Sequence, residues 1–303
     1  MKLIILLSTY NGEKYLRKQL DSLLEQDFKP FKILIRDDES SDNTIDIIKE
    51  YVNKYDFIEY YTGKNKGSGR SFWDLIVKAE DADYYALCDQ DDYWLKDKLS
   101  RAIELLKKED QNIPLLYSSK YTLTDSELNP TNSKVSSLYN FSDFPHALLY
   151  HSAPGCTFVF NRHARNELLK YDIDKEYFVI HDALIHKIVT LFGKMILDDE
   201  SHIYYRQHDN NQIGMKADGL SVFLGRIKRF VNGDIRNYRS LTAKSILKVY
   251  GQDCEDYKRE LLNIVANYKE DNRLKKQLLD LDCFKTHTIN DLFFKILVLV
   301  NYI

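Results

Sequence analysis

Strand-like and helix-like patterns alternate four times within the first 106 residues of this 303-residue chain. The first strand pattern is the continuous apolar run from Leu3 to Leu7, and the next pattern places leucines between residues 16 and 24 along one helical face. Further strands are predicted at residues 32–35, 57–61 and 84–88, each followed by an amphipathic helix. This alternation predicts an α/β fold with a mostly parallel sheet that helices cover on both faces. After residue 114, further strands are predicted at residues 115–119, 120–124, 156–160 and 203–208.

Polar clusters follow all four predicted strands, at residues 8–12, 36–42, 63–70 and 89–92. In open α/β sheets, a ligand binds beyond the carboxyl ends of the strands. We therefore expect the four clusters to meet along one edge of the sheet and to form a ligand site there.

The last of these clusters, Asp89-Gln-Asp-Asp92, places three carboxylates at the end of a buried strand. Carboxylates this close repel one another and need a cation or hydrogen-bond donors to compensate their charge. A divalent cation, Mg²⁺ or Mn²⁺, that also holds the phosphates of a substrate would meet this need. The alternative interpretation is a solvated acidic turn.

The other clusters contain groups that a nucleoside diphosphate requires. Asp37 or Asp38 can accept hydrogen bonds from a base or a ribose, and Gly67 and Gly69 let the backbone approach a ligand. The chain has neither G-x-G-x-x-G after the first strand nor G-x-x-x-x-G-K-[ST] anywhere, which disfavours two other nucleotide-binding folds. The residues predicted to bind the nucleotide part of a substrate are Ser8, Thr9, Tyr10, Asn11, Asp37, Asp38, Gly67, Arg70 and Asp89.

Three motifs occur in a fixed order: STYNG at residues 8–12, DDESSD at residues 37–42 and DQDD at residues 89–92. In this order and spacing they resemble the successive motifs of family-2 nucleotide-sugar glycosyltransferases, which have the GT-A fold. The DQDDYW run, His181-Asp182 and YRQH at residues 205–208 add a resemblance to a bacterial rhamnosyltransferase-like branch that builds cell-surface polysaccharides. The resemblance covers residues 3 to about 214.

The resemblance implies roles on the donor side of the site. Asp38, together with Asp37, would bind the base and ribose, and Asp89 would contact the nucleotide sugar. Asp91 would coordinate the divalent cation on the diphosphate. Glu39 departs from the family pattern, which has glycine at this position, and makes the turn after Asp38 uncertain.

The resemblance also implies roles for the later motifs. Asp182 would act as the general base on the acceptor hydroxyl, and Arg206 and His208 would close over the diphosphate, with His208 as a metal ligand. The alternatives are structural: His181-Asp182 as an ordinary helix N-terminus and His208 as a surface residue.

Charge divides the chain into two parts. Residues 216–303 contain 16 Lys and Arg against 11 Asp and Glu, a net charge of +5, so residues 1–215 carry −8 of the total of −3. We expect a GT-A domain at 1–215 and a helical extension at 216–303. The basic, amphipathic residues 216–250 could lie on an anionic membrane or pack on their own domain. The apolar residues 292–300 are too few to span a bilayer and could pack, dimerise or enter the membrane interface.

Together with these patterns, the resemblance implies a metal-dependent, inverting glycosyltransferase that moves a sugar, with L-rhamnose from dTDP-rhamnose as the best choice. The acceptor would be a glycan or an undecaprenyl-linked glycan. The alternatives are a UDP-hexose or UDP-N-acetylhexosamine donor on the same fold, or a non-catalytic module that binds nucleotide sugars or glycans.

Cysteine spacing and charge bear on location and partners. The four cysteines have no C-x-x-C spacing, which argues against a zinc site and disulfides and favours the cytoplasm. The resemblance, through its lipid-linked acceptor, implies peripheral attachment to the inner face of the plasma membrane. The acidic body disfavours a nucleic-acid partner. The sequence indicates no oligomeric state.

Overall fold

The computed structural model describes residues 1–131, 142–150, 153–208, 237–282 and 289–303. The strands are β1 (Leu3–Thr9), β2 (Lys32–Asp37), β3 (Ile58–Thr62), β4 (Tyr84–Asp89), β5 (Tyr93–Trp94), β6 (Leu115–Thr124), β7 (Val159–Asn161) and β8 (Lys194–Arg206). The helices are α1 (Leu16–Leu24), α2 (Thr44–Lys54), α3 (Ser68–Lys78), α4 (Lys98–Leu106), α5 (Phe144–Leu149), α6 (Arg162–Leu168), α7 (His181–Phe192), α8 (Tyr238–Tyr250), α9 (Asp256–Asn267), α10 (Asn272–Asp280) and α11 (Ile289–Leu299), with a short 3₁₀ turn at Gly155–Thr157.

The strands form one mixed sheet in the order β3-β2-β1-β4-β7-β6-β8-β5. Strands β1 to β4 run parallel, and β6 is parallel to β8. Strand β7 lies antiparallel between β4 and β6, and β5 pairs antiparallel with β8. Along β1, Ile4 and Leu6 belong to one apolar core, and Leu3, Ile5 and Leu7 to the other. Burial on both faces explains why β1 is a continuous apolar run.

The carboxyl ends of β1, β2 and β4 lie side by side. Ser8 of β1 is paired with Asp89 of β4, and Thr9 of β1 is paired with Asp37 of β2. The loop after β3 joins them, because the backbone N–H of Gly63 donates to the carbonyl of Asp37 (2.9 Å). The predicted convergence of the four polar clusters is therefore confirmed.

The second half of the sheet differs from the sequence predictions. Residues 115–124 form the single strand β6, whereas the sequence predicts two strands there. Cys156 lies in the 3₁₀ turn, and β7 begins only at Val159, three residues later than the pattern indicates. Strand β8 begins at Lys194 and not near residue 203. Asp199 and Glu200 are exposed and interrupt its pairing with β6, and this irregularity conceals the first half of β8 from pattern analysis.

Helices α8 to α11 pack on the helices that cover one face of the sheet. The Arg239 guanidinium donates to the carbonyl of Leu149 at the end of α5 (2.6 Å), and the Tyr250 hydroxyl donates to the carbonyl of Glu167 in α6 (2.8 Å). Leu262 of α9 is fully buried in the apolar core that also contains residues of β1. The expected boundary at residues 215 and 216, and the predicted basic segment as far as residue 236, lie outside the described residues.

Replacement of Leu262 by alanine is expected to lower the free energy of unfolding by about 2–5 kcal/mol, because it leaves a cavity in the shared core. Denaturation followed by the fluorescence of Trp73 and Trp94 measures this change, since both tryptophans belong to the sheet half of the chain. Leu292→Ala is the control, because Leu292 is 61% exposed and should change stability by less than about 0.5 kcal/mol. If Leu262→Ala does not shift the unfolding transition that tryptophan fluorescence reports, the C-terminal helices unfold independently of the sheet.

Candidate active site

A cavity of about 970 Å³ lies at the carboxyl ends of β1, β2 and β4. Helix α7, the 3₁₀ turn and the segment after β6 complete its walls. Its size is at the upper end of the usual range of ligand sites and suits a ligand as large as a nucleotide sugar. The residues predicted for the site that line this cavity are Ser8, Tyr10, Asn11, Asp38, Gly67, Asp89, Asp91, Asp182 and His208.

The Gln90 side chain joins the loop after β1 to the loop after β4. Its Nε2 donates to the carbonyl of Tyr10 (2.9 Å), and its Oε1 accepts from the backbone N–H of Tyr10 (2.8 Å). Gly12 lies so close that a Cβ added there would stand 2.1 Å from Oε1 of Gln90. The amide therefore holds the two polar loops in register, and a side chain at residue 12 would displace it.

The two aspartates after β2 have different surroundings. Asp37 accepts hydrogen bonds from the Thr9 hydroxyl (2.9 Å) and the backbone N–H of Ser40 (2.9 Å). Asp38 pairs with the Arg36 guanidinium (2.5 Å) and accepts from the backbone N–H groups of residues 66 and 67. Asp38 thus orders the loop at residues 63–70, which borders the cavity. Asp37 and Thr9 instead stabilise the turn after β2 and do not line the cavity.

Glu39 adopts the backbone conformation that glycine favours. Its φ is 69°, in the left-handed region that residues with a Cβ rarely occupy. The Glu39 carboxylate accepts a hydrogen bond from the backbone N–H of Asn65 (3.1 Å). The turn therefore keeps a glycine-type geometry although the family pattern is broken at this position.

His208 and Asp91 meet at the cavity wall, with 2.8 Å between Nε2 and Oδ2. The Tyr15 ring packs against His208, with centroids 4.9 Å apart, and the Arg206 guanidinium lies 4.4 Å from the same Tyr15 ring. Arg206 itself donates through Nε to the carbonyl of Asp91 (2.6 Å) and through a terminal nitrogen to the carbonyl of Ser126. Arg206 therefore positions the Asp91 loop and does not line the cavity.

Burial and repulsion act on the remaining carboxylates of the DQDD run. Burial, followed by the negative charges of Asp91 and Asp182, raises the pKa of Asp89 to about 8. Asp92 is 1% exposed and accepts a hydrogen bond from the backbone N–H of Arg206 (3.2 Å). Burial and the charges of Asp91 and Asp89 also raise the pKa of Asp92 well above its ordinary value.

Two sets of residues are candidates for a divalent cation. Ligand atoms of Asp89, Asp92 and Cys156 lie within 4.8 Å of one another, but burial raises the pKa of the Cys156 thiol well above its ordinary value, and a protonated thiol is a poor ligand for a hard cation. Asp91 and His208 instead line the cavity side by side, with a carboxylate oxygen and an imidazole nitrogen 2.8 Å apart. This donor set fits Mn²⁺ and, less well, Mg²⁺, together with phosphate oxygens.

Helix α7 carries Asp182 in its first turn, at the cavity wall. Asp182 is 5% exposed, and its carboxylate accepts a hydrogen bond from the N–H of the next residue (2.7 Å). The neighbouring His181 ring stacks on Phe72 with centroids 4.4 Å apart. A Cβ added to Gly155 would stand 2.6 Å from Nε2 of His181, so this glycine leaves room for the start of α7.

Some predicted residues lie outside the cavity lining. Arg70 pairs with Asp174 (2.7 Å) and donates to the carbonyl of Ile173 (3.2 Å). The residues predicted to bind the donor that the structure places behind or beside the cavity are Thr9, Asp37, Arg70 and Arg206.

Sequence reasoning missed Gln90, Tyr15 and two buried lysines. The Lys98 ammonium lies 3.8 Å from the centroid of the buried Trp94 ring, and burial lowers the pKa of Lys98 to about 8. Burial, followed by the charge of Arg239, lowers the pKa of Lys187 to about 7, against the opposing effect of Asp182. Both lysines fall on the apolar face of their helices, and a lysine at such a position is the signal that could have identified them.

Comparisons with known proteins agree with this geometry. Residues 4–169 match the family described as Glycosyl transferase family 2. The dTDP-rhamnosyl transferase RfbG of Shigella flexneri is 33% identical over 251 residues, which cover 78% of this chain and 82% of that protein.

Two solved structures show the same fold. S. aureus TarS 1–349 in complex with UDP-GlcNAc matches with a TM-score of 0.60 at 19% identity and covers 98% of this chain and 81% of its own. The mannosyltransferase PcManGT from Pyrobaculum calidifontis, in complex with GDP-Man and Mn²⁺, matches with a TM-score of 0.54 at 13% identity and covers 99% and 86%. The expected GT-A fold with a helical C-terminal region is therefore confirmed. Because the family match spans more than half of the chain and the similarity to RfbG extends over most of both proteins, the chain belongs to glycosyltransferase family 2.

Proposed function

We propose that this glycosyltransferase moves L-rhamnose from dTDP-rhamnose to a glycan or lipid-linked glycan, with inversion at the transferred carbon. One observation carries the proposal: a single cavity is lined by Asp38, by the Asp91–His208 pair and by Asp182. In this proposal Asp38 binds the nucleoside, the Asp91–His208 pair binds the metal on the diphosphate, and Asp182 acts on the acceptor hydroxyl. Similarity to the dTDP-rhamnosyl transferase RfbG supports the choice of donor.

The nearest alternative is a UDP-hexose or UDP-N-acetylhexosamine donor. The fold similarity to TarS in complex with UDP-GlcNAc supports that alternative, at 19% identity. A non-catalytic nucleotide-sugar or glycan-binding module is disfavoured, because Asp182 would then have no chemical role at the cavity wall.

Asp91 and His208 would hold the divalent cation, Mg²⁺ or Mn²⁺. When bound, such an ion offsets the negative charge that develops on the departing diphosphate. Asp38 would orient the base and ribose from the opposite end of the cavity. Asp182, on a separate helix, would take the proton of the acceptor hydroxyl as that oxygen attacks the sugar. One base and one stabilised leaving group are sufficient for a single in-line displacement, which inverts the configuration.

The Asp182→Asn variant is expected to lose transfer activity by about 10²- to 10⁴-fold in kcat, because an amide cannot accept the proton. Its affinity for the donor should change by less than about threefold, since Asp182 acts on the acceptor. Asp199→Asn is the matched control, because the Asp199 side chain is 79% exposed and is paired with Lys120. Full transfer by Asp182→Asn would refute the assignment of the base.

The Asp89→Asn variant tests the raised pKa of Asp89 in the protein without a ligand. Because the pKa of Asp89 is raised to about 8, the folded protein holds a proton that the unfolded chain releases near pH 4, and wild-type stability falls as the pH rises between these values. The melting temperature of Asp89→Asn should therefore exceed that of the wild type by a margin that grows from pH 5 to about pH 8 and is constant above. A margin that does not vary with pH would contradict the raised pKa.

We also propose that the C-terminal part rests on the inner face of the plasma membrane. Helix α11 buries Phe294 and Val298 but exposes an apolar stripe on the opposite side. This stripe consists of Leu292, Ile296, Leu299 and Val300, which are 45–61% exposed. Lys295 is exposed on the same helix, and the Lys275 ammonium lies at the end of the stripe, where it donates to the carbonyl of Leu299 (3.0 Å). Lysines beside an apolar face suit an anionic lipid surface. None of the described helices has the length and hydropathy to cross a bilayer.

Replacement of Leu292, Ile296 and Leu299 by serine is expected to lower binding to vesicles of anionic phospholipid by about 10-fold or more, because each leucine or isoleucine contributes apolar area. Co-sedimentation measures the bound fraction, and Val77→Ser, at a 49% exposed site on α3, is the control. If the triple variant instead binds vesicles as the wild type does but loses self-association on gel filtration, the stripe is an interface between copies and not a membrane surface.

A further inference from the structure

The charges that line the cavity do not balance. Its described lining contains five carboxyl groups, those of Asp38, Asp89, Asp91, Asp125 and Asp182, and the single lysine or arginine among these residues is Lys14. Even without Asp38, which pairs with Arg36, and Asp89, whose pKa is raised to about 8, three carboxylates face one ammonium. A nucleoside diphosphate is itself an anion, so a cavity of this composition would repel it unless cations compensate. One divalent cation at Asp91 and His208 compensates only part of this charge.

Lys14 lies next to the proposed metal ligands. The backbone turns at Gly12, whose carbonyl accepts from the N–H groups of Tyr15 (3.1 Å) and Leu16 (3.0 Å), and this turn presents Lys14 to the cavity. The Lys14 ammonium lies 4.9 Å from the centroid of the Tyr15 ring. The same ring packs against His208 at 4.9 Å between centroids. The Lys14 ammonium and the His208 imidazole therefore both lie against the Tyr15 ring.

The Lys14 ammonium is available to a ligand, whereas the neighbouring guanidiniums are engaged. Arg206 is occupied by the carbonyls of Asp91 and Ser126, and Arg36 pairs with Asp38. Lys14 is exposed and takes part in no ion pair within the described part of the chain. A hydrogen bond to Tyr15 raises the pKa of Lys14, so that the ammonium stays charged.

We infer that Lys14 binds the diphosphate of the donor through a non-bridging phosphate oxygen, on the side of the cavity where Asp91 and His208 would hold the cation. This inference rests on the proposed function. An ammonium is a compact donor that suits a phosphate oxygen and can follow it as the charge on the leaving group grows. Lys14 would then favour diphosphates over monophosphates and nucleosides. A purely structural role, in which Lys14 only supports Tyr15, predicts no such preference.

The test compares the affinities of wild type and variants for dTDP, dTMP and thymidine in the presence of Mn²⁺, by isothermal titration calorimetry, with UDP, UMP and uridine as a second series. The variants are Lys14→Met, which removes the charge and keeps the side-chain length, and Lys14→Arg, which restores a cation. Lys18→Met is the matched control, because Lys18 is exposed one turn further along α1 and does not line the cavity.

The expected result is that Lys14→Met weakens binding of the diphosphate by about 10-fold, leaves the nucleoside within about twofold, and is largely rescued in Lys14→Arg. Equal losses for the diphosphate and the nucleoside, or no loss, would overturn the assignment of Lys14 and leave the proposed function intact. A wild-type protein that binds neither dTDP nor UDP would overturn both.

Discussion

Repulsion among the carboxylates after β4 is the constraint on which the rest of the site depends. Asp89, Asp91 and Asp92 follow one buried strand, and each is compensated differently. Asp91 meets His208 at 2.8 Å, and Asp92 accepts the backbone N–H of Arg206 at 3.2 Å. Asp89 is left with a pKa raised to about 8, because burial and the charges of Asp91 and Asp182 favour its protonated form. A divalent ion held by Asp91 and His208, as proposed, would offset part of this repulsion, and the stability of the protein would then depend on its ligand.

The architecture separates the two halves of the reaction. Donor-side groups stand on loops after parallel strands, and the register of those strands and the Gln90 amide hold them together. Asp182 stands on α7, which follows the antiparallel strand β7 and is supported through Gly155 and Phe72. Helices α8 to α11 pack behind this part of the molecule, and the charge of Arg239 on α8 acts on the buried Lys187 of α7. A change in the C-terminal helices would therefore reach α7, which carries the proposed base Asp182, without contacting the proposed donor side.

The sequence predicts the first half of the fold well because each strand there is buried on both faces and each helix is amphipathic. The same logic locates the site, since polar residues directly after parallel strands must share one edge. The sequence predicts less well which of these polar residues line the cavity, because that depends on where each side chain points. Thr9, Asp37, Arg70 and Arg206 have suitable chemistry, but they hydrogen-bond to other groups of the protein, and sequence spacing does not show where a side chain points. The first half of β8 is not predicted, because the exposed residues Asp199 and Glu200 interrupt its strand pattern. The role of Gln90 is not predicted either, because the carboxylates on both sides of it are the stronger chemical signal.

The central claim is that the cavity binds a nucleotide sugar through a divalent cation. The most direct measurement is the shift in melting temperature produced by dTDP-rhamnose, UDP-glucose, UDP-N-acetylglucosamine and GDP-mannose, each with and without Mn²⁺. A ligand present at about 100 times its Kd stabilises the folded state by about 2.7 kcal/mol, which this method detects readily. We expect the largest shift with dTDP-rhamnose and a strong dependence on Mn²⁺. The absence of a metal-dependent shift with all four donors would contradict it.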